Sequence, residues 1–399
     1  MSLLILLGGV VNAQTPISLE AALDIALKNN LSIKNEKLKA EYQKSLINTA
    51  KMIPSSTIAA EIGQINSIYL DSRLSIGQSL SFPKVYESHK TLYNELWKSS
   101  TLNVAINEHE LKKQVTQTFY HWVYLQQKRQ LLHFADSLYA TFLNRAELRL
   151  AKGESNILEK VTAENQLGQI NVQLLQLKDD IELTKLRFRY LLNSADNYLP
   201  TFSNYKLTFN TKTDLEMLKE HPSMQFLSQQ QQVADAMIEV EKKKLLPTLS
   251  FVYNNGSIRG TGADNVVYNG WHRFQSVQVG VGIPIFATAQ KTKINSEKVN
   301  KLVVENNYSV SLQQLNNAYL VALGEYNKFS KTVEYYEKTA LSNATLINTT
   351  AQQQLINGSI NYLEWVTLTN QATNIRNDYI EAVKSLNESI IQINSLVNY

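Results

Sequence analysis

Apolar and polar residues alternate in several short stretches of the chain. In the clearest stretch, one glutamine and two glycines separate Val277, Val279, Val281 and Ile283. The apolar positions of a second stretch are Leu74, Ile76, Leu80 and Phe82. A period of two is that of a β-strand with one apolar and one polar face. The sequence therefore predicts four short strands, two in each half of the chain.

Two much longer segments have the periodicity of helices. They lie between Pro83 and Gly153 and between Pro284 and Gly358, with no internal proline and a single glycine, Gly324. Apolar residues recur every three or four positions, and Gln, Asn, Lys and Glu fill the other faces, which predicts amphipathic packing helices. If continuous, each helix reaches about 100 Å at 1.5 Å per residue. Pro83 and Pro284 are predicted to occupy the first turn of these helices.

An internal repeat divides the chain. The segments AKGESNILEKVTAENQ, starting at residue 151, and INGSINYLEWVTLTNQ, starting at residue 356, share eight of sixteen residues at an offset of 205. The offset is 193 at the Pro54/Pro247 pair and 201 at the Pro83/Pro284 pair. We interpret the first increase as an eight-residue insertion in the glycine-rich stretch before Trp271, and the second as about one added turn in the following helix.

The predicted organisation is a signal peptide over 1–13, a first structural repeat over 14–200 and a second repeat over 201–399, interwoven in one domain. The segment SLLILLGGVVNAQT has an apolar core and a Val-Asn-Ala site that predict cleavage before Gln14 and export. No later run reaches the roughly 18 apolar residues of a membrane-spanning helix. The absence of cysteine excludes disulfides, thiolate metal sites and an acylated N-terminal cysteine.

The two faces of the predicted strands favour a membrane barrel over a soluble sheet packed on helices. Val277, Val279, Val281 and Ile283 would face lipid, and the small and polar residues between them would face water. Four strands cannot close a barrel, because open sheet edges in lipid leave backbone groups unpaired. Several copies must therefore share one barrel. Two copies would give eight strands and three would give twelve, and the pattern leaves this choice open.

Charge and candidate chemistry indicate no catalytic or nucleic-acid-binding role. The formal charge of +4 arises from 39 basic and 35 acidic residues scattered along the chain, so no basic stripe is present. The six histidines show no close ligand spacing, and no nucleophile and base stand together. We therefore expect no enzyme activity, no bound metal and no cofactor.

The order of the repeated segments carries a family resemblance. NNLSIKN, IPSS, SFP and AKGESNILE in the first half, with HPSMQF, LPTL, GIP and INGSINYLE in the second, resemble the TolC family of outer-membrane efflux proteins. The resemblance extends from about Ile17 to Tyr399. Within the family, the overall sequence pattern is similar to that of the heavy-metal efflux branch. It implies a mainly α fold with a small β part, in which duplicated long-helix hairpins form a periplasmic α-barrel.

The resemblance also implies a function. The chain would form a homotrimer with a shared twelve-stranded barrel in the outer membrane of a Gram-negative bacterium. It would be the passive exit duct of a tripartite efflux system, supplied by an inner-membrane pump of the resistance-nodulation-division type through a periplasmic adaptor. The alternative is a soluble periplasmic helical scaffold. The sequence does not identify the cargo or the particular pump and adaptor.

Site residues follow from the same resemblance. The helical hairpins would reverse at their periplasmic tips through Gly153 and Gly358, where glycine admits a positive φ. The candidates for adaptor docking are Lys152, Gly153, Asn357 and Gly358. The candidates for the periplasmic gate are Glu159, Glu364 and Thr367, the last standing where relatives have a second acidic residue. The alternatives are ordinary helix caps without a partner and glutamates on a solvated helix face.

Overall fold

The computed structural model describes residues 15–202, 204–209 and 215–397. The predicted signal peptide, residues 1–13, lies outside the described residues. The chain forms two compact units: the first takes the described residues within 1–35, 105–222 and 312–399, and the second consists of 36–104 and 223–311. Each unit combines segments from both halves of the sequence. The repeat boundary at residue 200 stays a prediction.

The fold is mainly helical with a small β part, as the sequence predicted. The element order is β1 (Thr15–Ile17), α1 (Leu19–Asn29), α2 (Leu31–Leu46), β2 (Thr57–Gly63), β3 (Asp71–Ser81), α3 (Pro83–Ala151), α4 (Ile157–Leu192), β4 (Tyr198–Pro200), α5 (Pro222–Lys243), β5 (Thr248–Ser257), β6 (Gly260–Thr261), β7 (Val267–Tyr268), β8 (Arg273–Gly282), α6 (Thr288–Tyr335), α7 (Leu341–Ile356) and α8 (Tyr362–Val397). A π-helical turn, Tyr336–Ala340, joins α6 to α7. No described helix has the length and apolarity needed to cross a membrane.

The long helices begin differently in the two halves. Pro83 is the first residue of the 69-residue helix α3, as predicted. Pro284 is not in a helix, because α6 begins only at Thr288, where the Ala287 carbonyl accepts a hydrogen bond from the Lys291 N–H (2.9 Å). The residues that we interpreted as an added helical turn therefore precede the helix. The return helices α4 and α8 have the same length, 36 residues.

The second unit contains an antiparallel four-stranded sheet in the order β2-β3-β5-β8. Its register places Val277 opposite Tyr253, Tyr253 opposite Ile76, and Ile76 opposite Ile58. Because directly paired residues share a face, the alternation of the single strands continues across the whole sheet. The predicted insertion folds as the small hairpin β6–β7.

The two faces of the sheet differ in chemistry, and we name them the apolar face and the polar face. The apolar face carries one polar residue near its centre, Gln78, among Ile58, Ile62, Leu74, Ile76, Leu80, Leu249, Phe251, Tyr253, Val277, Val279 and Val281. The polar face carries Thr57, Glu61, Arg73, Ser75, Ser79, Ser250, Asn254, Ser276 and Gln278. On the polar face, a Cβ at Gly280 would lie 2.5 Å from Ser250 Oγ. Side chains are crowded there, which is expected on the concave side of a curved sheet.

The first unit is held together by helix packing around two apolar cores. One core joins α3, α4, α7 and α8 through Leu132, Ala135, Tyr139, Phe142, Ala163, Ile170, Leu177, Ala351, Trp365 and Val366. The other joins β1, α1, α3, α4 and β4 through Ile17, Ala22, Ala26, Val115, Phe119, Trp122, Phe188, Leu192 and Tyr198. Both sets recur at helical spacing, so one face of each long helix is buried while the rest stays polar.

The two hairpin turns have the same backbone geometry. Gly153 has φ +74° and Gly358 has φ +71°. At the first turn the Glu154 N–H donates to the Arg149 carbonyl (2.9 Å) and the Gly153 N–H to the Leu150 carbonyl (3.0 Å). The second turn repeats these bonds with Ser359 and Gly358 as the donors. This is the Schellman ending of a helix, which favours glycine at the left-handed position.

We predict that Gly358→Ala destabilises the second turn by about 1–2 kcal/mol, because an L-residue is strained at positive φ. The matched control is Gly168→Ala in the middle of α4, where φ is not positive and nothing lies within 4 Å of an added Cβ. That change should stabilise α4 by about 0.5–1 kcal/mol. Hydrogen exchange of peptides covering each position measures both effects. Shifts of the same sign in both variants would contradict the prediction.

Candidate functional site

The four predicted docking residues lie at the two hairpin turns. Lys152 and Gly153 follow α3, and Asn357 and Gly358 follow α7; all four are exposed. We call 147–161 the first tip and 352–367 the second tip. The fold thus brings each predicted pair together within its own turn.

Ion pairs connect the two arms of the first tip. Arg149 Nη1 lies 3.3 Å from Glu159 Oε2, and Lys160 Nζ lies 3.2 Å from Glu147 Oε1. Asn156 caps α4 because its Oδ1 accepts hydrogen bonds from the Leu158 N–H (3.0 Å) and the Glu159 N–H (3.3 Å). The side chain of Glu159 is only 12% exposed. Its carboxylate is therefore turned against α3 and does not project freely into solvent.

The second tip presents its glutamate differently. Asn361 Oδ1 accepts a hydrogen bond from the Glu364 N–H, and Glu364 Oε2 accepts one from the Asn361 N–H, both at 2.9 Å. This reciprocal pair is a capping box that starts α8. Glu364 is exposed, and so is Thr367, whose hydroxyl donates to the Leu363 carbonyl (2.9 Å). Of the two glutamates among the three gate candidates, Glu364 is the one that offers its carboxylate to solvent.

An aromatic cluster anchors the second tip to α3, and sequence reasoning did not find it. Tyr362 and Trp365 are 3% and 1% exposed and pack their rings against Phe142. We name these three residues the aromatic clamp. At the offset of 205, the first half has the exposed Ile157 and a lysine in the places of Tyr362 and Trp365. This difference between two otherwise similar repeats was the feature of the sequence that could have predicted the aromatic clamp.

Buried hydroxyl groups accompany the clamp. The Tyr139 hydroxyl donates to Asn370 Oδ1, which joins α3 to α8. Burial raises the pKa of Tyr139 to about 12. Burial, followed by the nearby Glu159 carboxylate, also raises the pKa of Tyr362. Both tyrosines therefore stay protonated through the physiological range. Tyr139 is a neutral hydrogen-bond donor, and Tyr362 is a neutral packing group whose hydroxyl has no hydrogen-bond partner among the described residues.

The fold brings together two histidines that are far apart in the sequence. The rings of His109 and His221 meet edge to face with centroids 4.9 Å apart, and His109 Nε2 donates to the Ser395 carbonyl (2.6 Å). Desolvation, and then the neighbouring His109, lower the pKa of His221 to about 4. Within 15–202, 204–209 and 215–397, no group of three or more His, Asp or Glu residues is arranged to hold a metal ion.

The predicted lipid-facing residues lie on the exposed apolar face of the sheet. Val277, Val279 and Val281 are 73%, 63% and 58% exposed, and Ile283 follows the last residue of β8. Strands β2 and β8 form the two edges, and each pairs on one side only among the described strands of this sheet. The chain thus presents an uncovered apolar surface with two open edges. That this surface contacts lipid stays a prediction.

Comparison with known proteins supports the resemblance. Residues 216–398 match the family model described as "Outer membrane efflux protein". No match was found among curated protein sequences. The fold is similar to that of CusC, whose structure concerns transmembrane channel formation, with TM-score 0.78 and 13% identity over 95% of this chain and 91% of that one.

Two further solved structures have the same fold. The CmeC outer membrane channel of Campylobacter jejuni aligns with TM-score 0.78 and 14% identity over 95% of this chain and 85% of its own. The MtrE outer membrane channel of Neisseria gonorrhoeae aligns with TM-score 0.76 and 14% identity, over 95% of this chain and 88% of its own. The similarity covers both units and both repeats.

The family match and the fold similarity agree with the resemblance and the fold class that the sequence predicted. Proteins of this family are outer-membrane exit ducts that extend into the periplasm. They form homotrimers and work with periplasmic adaptors and inner-membrane pumps in tripartite efflux systems. Residues 216–398 thus match the outer membrane efflux protein family, and the chain has a fold similar to those of the CmeC and MtrE outer membrane channels.

Proposed function

We propose that three copies of this chain close one twelve-stranded barrel in the outer membrane, and that cargo leaves the cell through it. The observation that carries this proposal is the apolar face of the β2-β3-β5-β8 sheet, which is exposed, bounded by two open edges and interrupted at its centre by Gln78. In lipid, unpaired edge groups cost several kcal/mol each, so the edges must pair. Pairing β8 of one copy with β2 of the next satisfies both edges and repeats around a three-fold axis.

The polar face supports the same arrangement. Its serines, threonines and glycines would line a water-filled lumen, while the valines and isoleucines opposite them would contact acyl chains. The charged pair on this face, Glu61 and Arg73, are cross-strand partners with Nη1 and Oε2 3.1 Å apart. The charges of this pair balance, and the further carboxylate on this face, Asp71 at the start of β3, is buried.

The long helices account for the periplasmic part of the duct. Helix α3 alone spans about 100 Å at 1.5 Å per residue, against about 30 Å for the apolar core of a bilayer. Its exposed surface is mainly polar, which suits water on both sides of a tunnel wall. The helical hairpins would carry the two tips towards the adaptor and the pump.

The tips are the proposed contact with the adaptor, and Glu364 is the proposed gate residue. In a trimer, the three exposed Glu364 carboxylates would form a ring that attracts cations and repels anions. Glu159 would add less, because Arg149 lies beside it. Membership in the heavy-metal branch, which would make metal ions the cargo, stays a prediction. The pump is expected to determine most of the selectivity for the cargo.

The membrane proposal predicts opposite consequences for neighbouring residues of β8. Val279→Arg places a charge on the apolar face at a cost of about 2–4 kcal/mol near the bilayer midplane, so assembly should fall. Gln278→Arg lies on the polar face and should leave assembly near wild type. The measurement is the yield of heat-modifiable trimer in the outer-membrane fraction. Equal loss in both variants, or a soluble wild-type monomer in the periplasm, would refute the proposal.

The docking proposal predicts crosslinks at the tips. Because the chain has no cysteine, Lys152→Cys and Asn357→Cys each introduce a unique thiol. Both should crosslink to lysine amines of the periplasmic adaptor in intact cells through a short reagent that carries a maleimide at one end and an amine-reactive ester at the other. The matched control is Lys328→Cys, an exposed position of α6 about 40 Å from the second turn at 1.5 Å per residue. Equal yields at tip and control positions would place the contact elsewhere.

The gate proposal predicts a change in ion selectivity for Glu364→Gln. Glutamine keeps an acceptor for the Asn361 N–H, so the capping box survives while the charge is lost. Single-channel recordings should show weaker block by divalent cations added from the periplasmic side and a lower cation preference. The control is Glu159→Gln, which should change both quantities less. Unchanged block and selectivity in Glu364→Gln would place this residue outside the pore.

A further inference from the structure

A buried carboxylate lies at the start of strand β3. Asp71 is 1% exposed, although the strand residues around it are partly accessible. A buried carboxylate is costly unless hydrogen bonds replace the water it has lost. The groups that bind it therefore show what this residue does in the fold.

Two separate loops donate to the Asp71 carboxylate. From the β2–β3 loop, the Ser67 hydroxyl donates to Oδ2 (2.9 Å) and the Asn66 N–H to the same oxygen (3.3 Å). From the last residue of β5 the Ser257 hydroxyl donates to Oδ1 (3.1 Å), and from the loop that follows the Arg259 N–H donates to the same oxygen (2.9 Å). The first loop belongs to the first repeat and the second to the other repeat. One side chain thus ties both repeats together.

Further contacts between the same loops surround this carboxylate. Asn66 Nδ2 donates to the Ser257 carbonyl (3.3 Å), and the Ser72 N–H donates to the Ser257 hydroxyl (3.0 Å). A Cβ at Gly260, where φ is +123°, would lie 3.3 Å from the ring of Tyr69. The two loops are therefore in direct contact, with Asp71 as the acceptor at the centre.

Connectivity places these loops at one end of the sheet. Strand β2 follows α2 and β5 follows α5, while β3 and β8 lead into α3 and α6. All four helical connections thus leave from one end of the strands, and the loops 64–70 and 258–272 lie at the other. In the duct proposed above, this second end is the mouth that opens outside the cell.

We propose that Asp71 is a positioning residue of the outer mouth, which holds the two loops of each chain in one narrow arrangement and so excludes bulky solutes from outside. This inference rests on the proposed function. Three copies would place three such tied loop pairs around the lumen. Loosening them would widen the mouth for large molecules while small molecules pass as before.

The test uses a reporter thiol in the lumen. Ser79→Cys lies on the polar face near the helical end of β3 and introduces the only cysteine of the chain. Intact cells are labelled either with N-ethylmaleimide or with a maleimide carrying a polyethylene glycol chain. The measured quantity is the labelling rate of the bulky reagent divided by that of the small one. This ratio corrects for changes in thiol reactivity.

The variants compare two loop carboxylates. Asp71→Asn keeps the shape but presents an amide donor to the N–H groups of Asn66 or Arg259. Asp264→Asn is the matched control, because its carboxylate bonds within the β6–β7 hairpin, to the Tyr268 hydroxyl (2.5 Å) and the Val266 N–H (3.1 Å). Ser257→Ala removes one donor and should act in the same direction but more weakly.

We expect the ratio to rise about tenfold in Asp71→Asn, because lost hydrogen bonds to a charged group favour local opening, and to stay constant in Asp264→Asn. If Asp71→Asn yields no heat-modifiable trimer, the labelling ratio of Ser257→Ala takes its place as the test of the inference. An unchanged ratio, or an equal rise in Asp264→Asn, overturns the inference while small-reagent labelling still supports the duct. If N-ethylmaleimide does not label Ser79→Cys from outside, the lumen assignment fails and both proposals fall.

Discussion

The structure depends on the pairing of backbone groups at the two edges of one sheet. The four strands of a chain bury little of their apolar face, and β2 and β8 each leave one side open. Water satisfies such edges easily, but lipid cannot, so a sheet of this kind is stable in a membrane only when copies join edge to edge. The apolar face, the polar face and the need for partners are therefore three consequences of one constraint. The long helices then extend from one end of the strands to where water is available.

The internal repeat accounts for the features that the two halves of the chain share. The divergence of the repeated sequences accounts for the differences between the two tips. Strands β3 and β5 pair across the two repeats, so the sheet joins two copies of one hairpin. The turns at Gly153 and Gly358 have kept the same hydrogen bonds. The helices that follow them have diverged, since α4 presents Ile157 to solvent where α8 buries Tyr362. A trimer of such chains would have alternating, unlike tips around its end, which gives an adaptor two kinds of surface to distinguish.

The sequence predicted those features that depend on local pattern. The alternation at Val277, Val279 and Val281 predicted a strand with two faces, and the repeated Gly153 and Gly358 predicted tight helical reversals; the fold confirms both elements. The sequence did not predict the contacts that join segments far apart along the chain. Asp71 and Ser257 are 186 residues apart, and the aromatic clamp joins α3 to α8. Pro284 was placed in a helix because local preference permits it, whereas the observed helix begins only at Thr288.

The two tips are held by interactions of different physical kinds. The first tip relies on the ion pairs Arg149–Glu159 and Lys160–Glu147, which are partly exposed and are screened by salt. The second tip relies on buried aromatic area, which salt screening does not weaken. The two hairpins of one chain therefore need not loosen under the same conditions. Since Glu364 lies on the hairpin with the aromatic anchor, its position is expected to depend less on ionic strength than that of Glu159. A selectivity ring built from Glu364 would thus keep its geometry where a ring built from Glu159 would not.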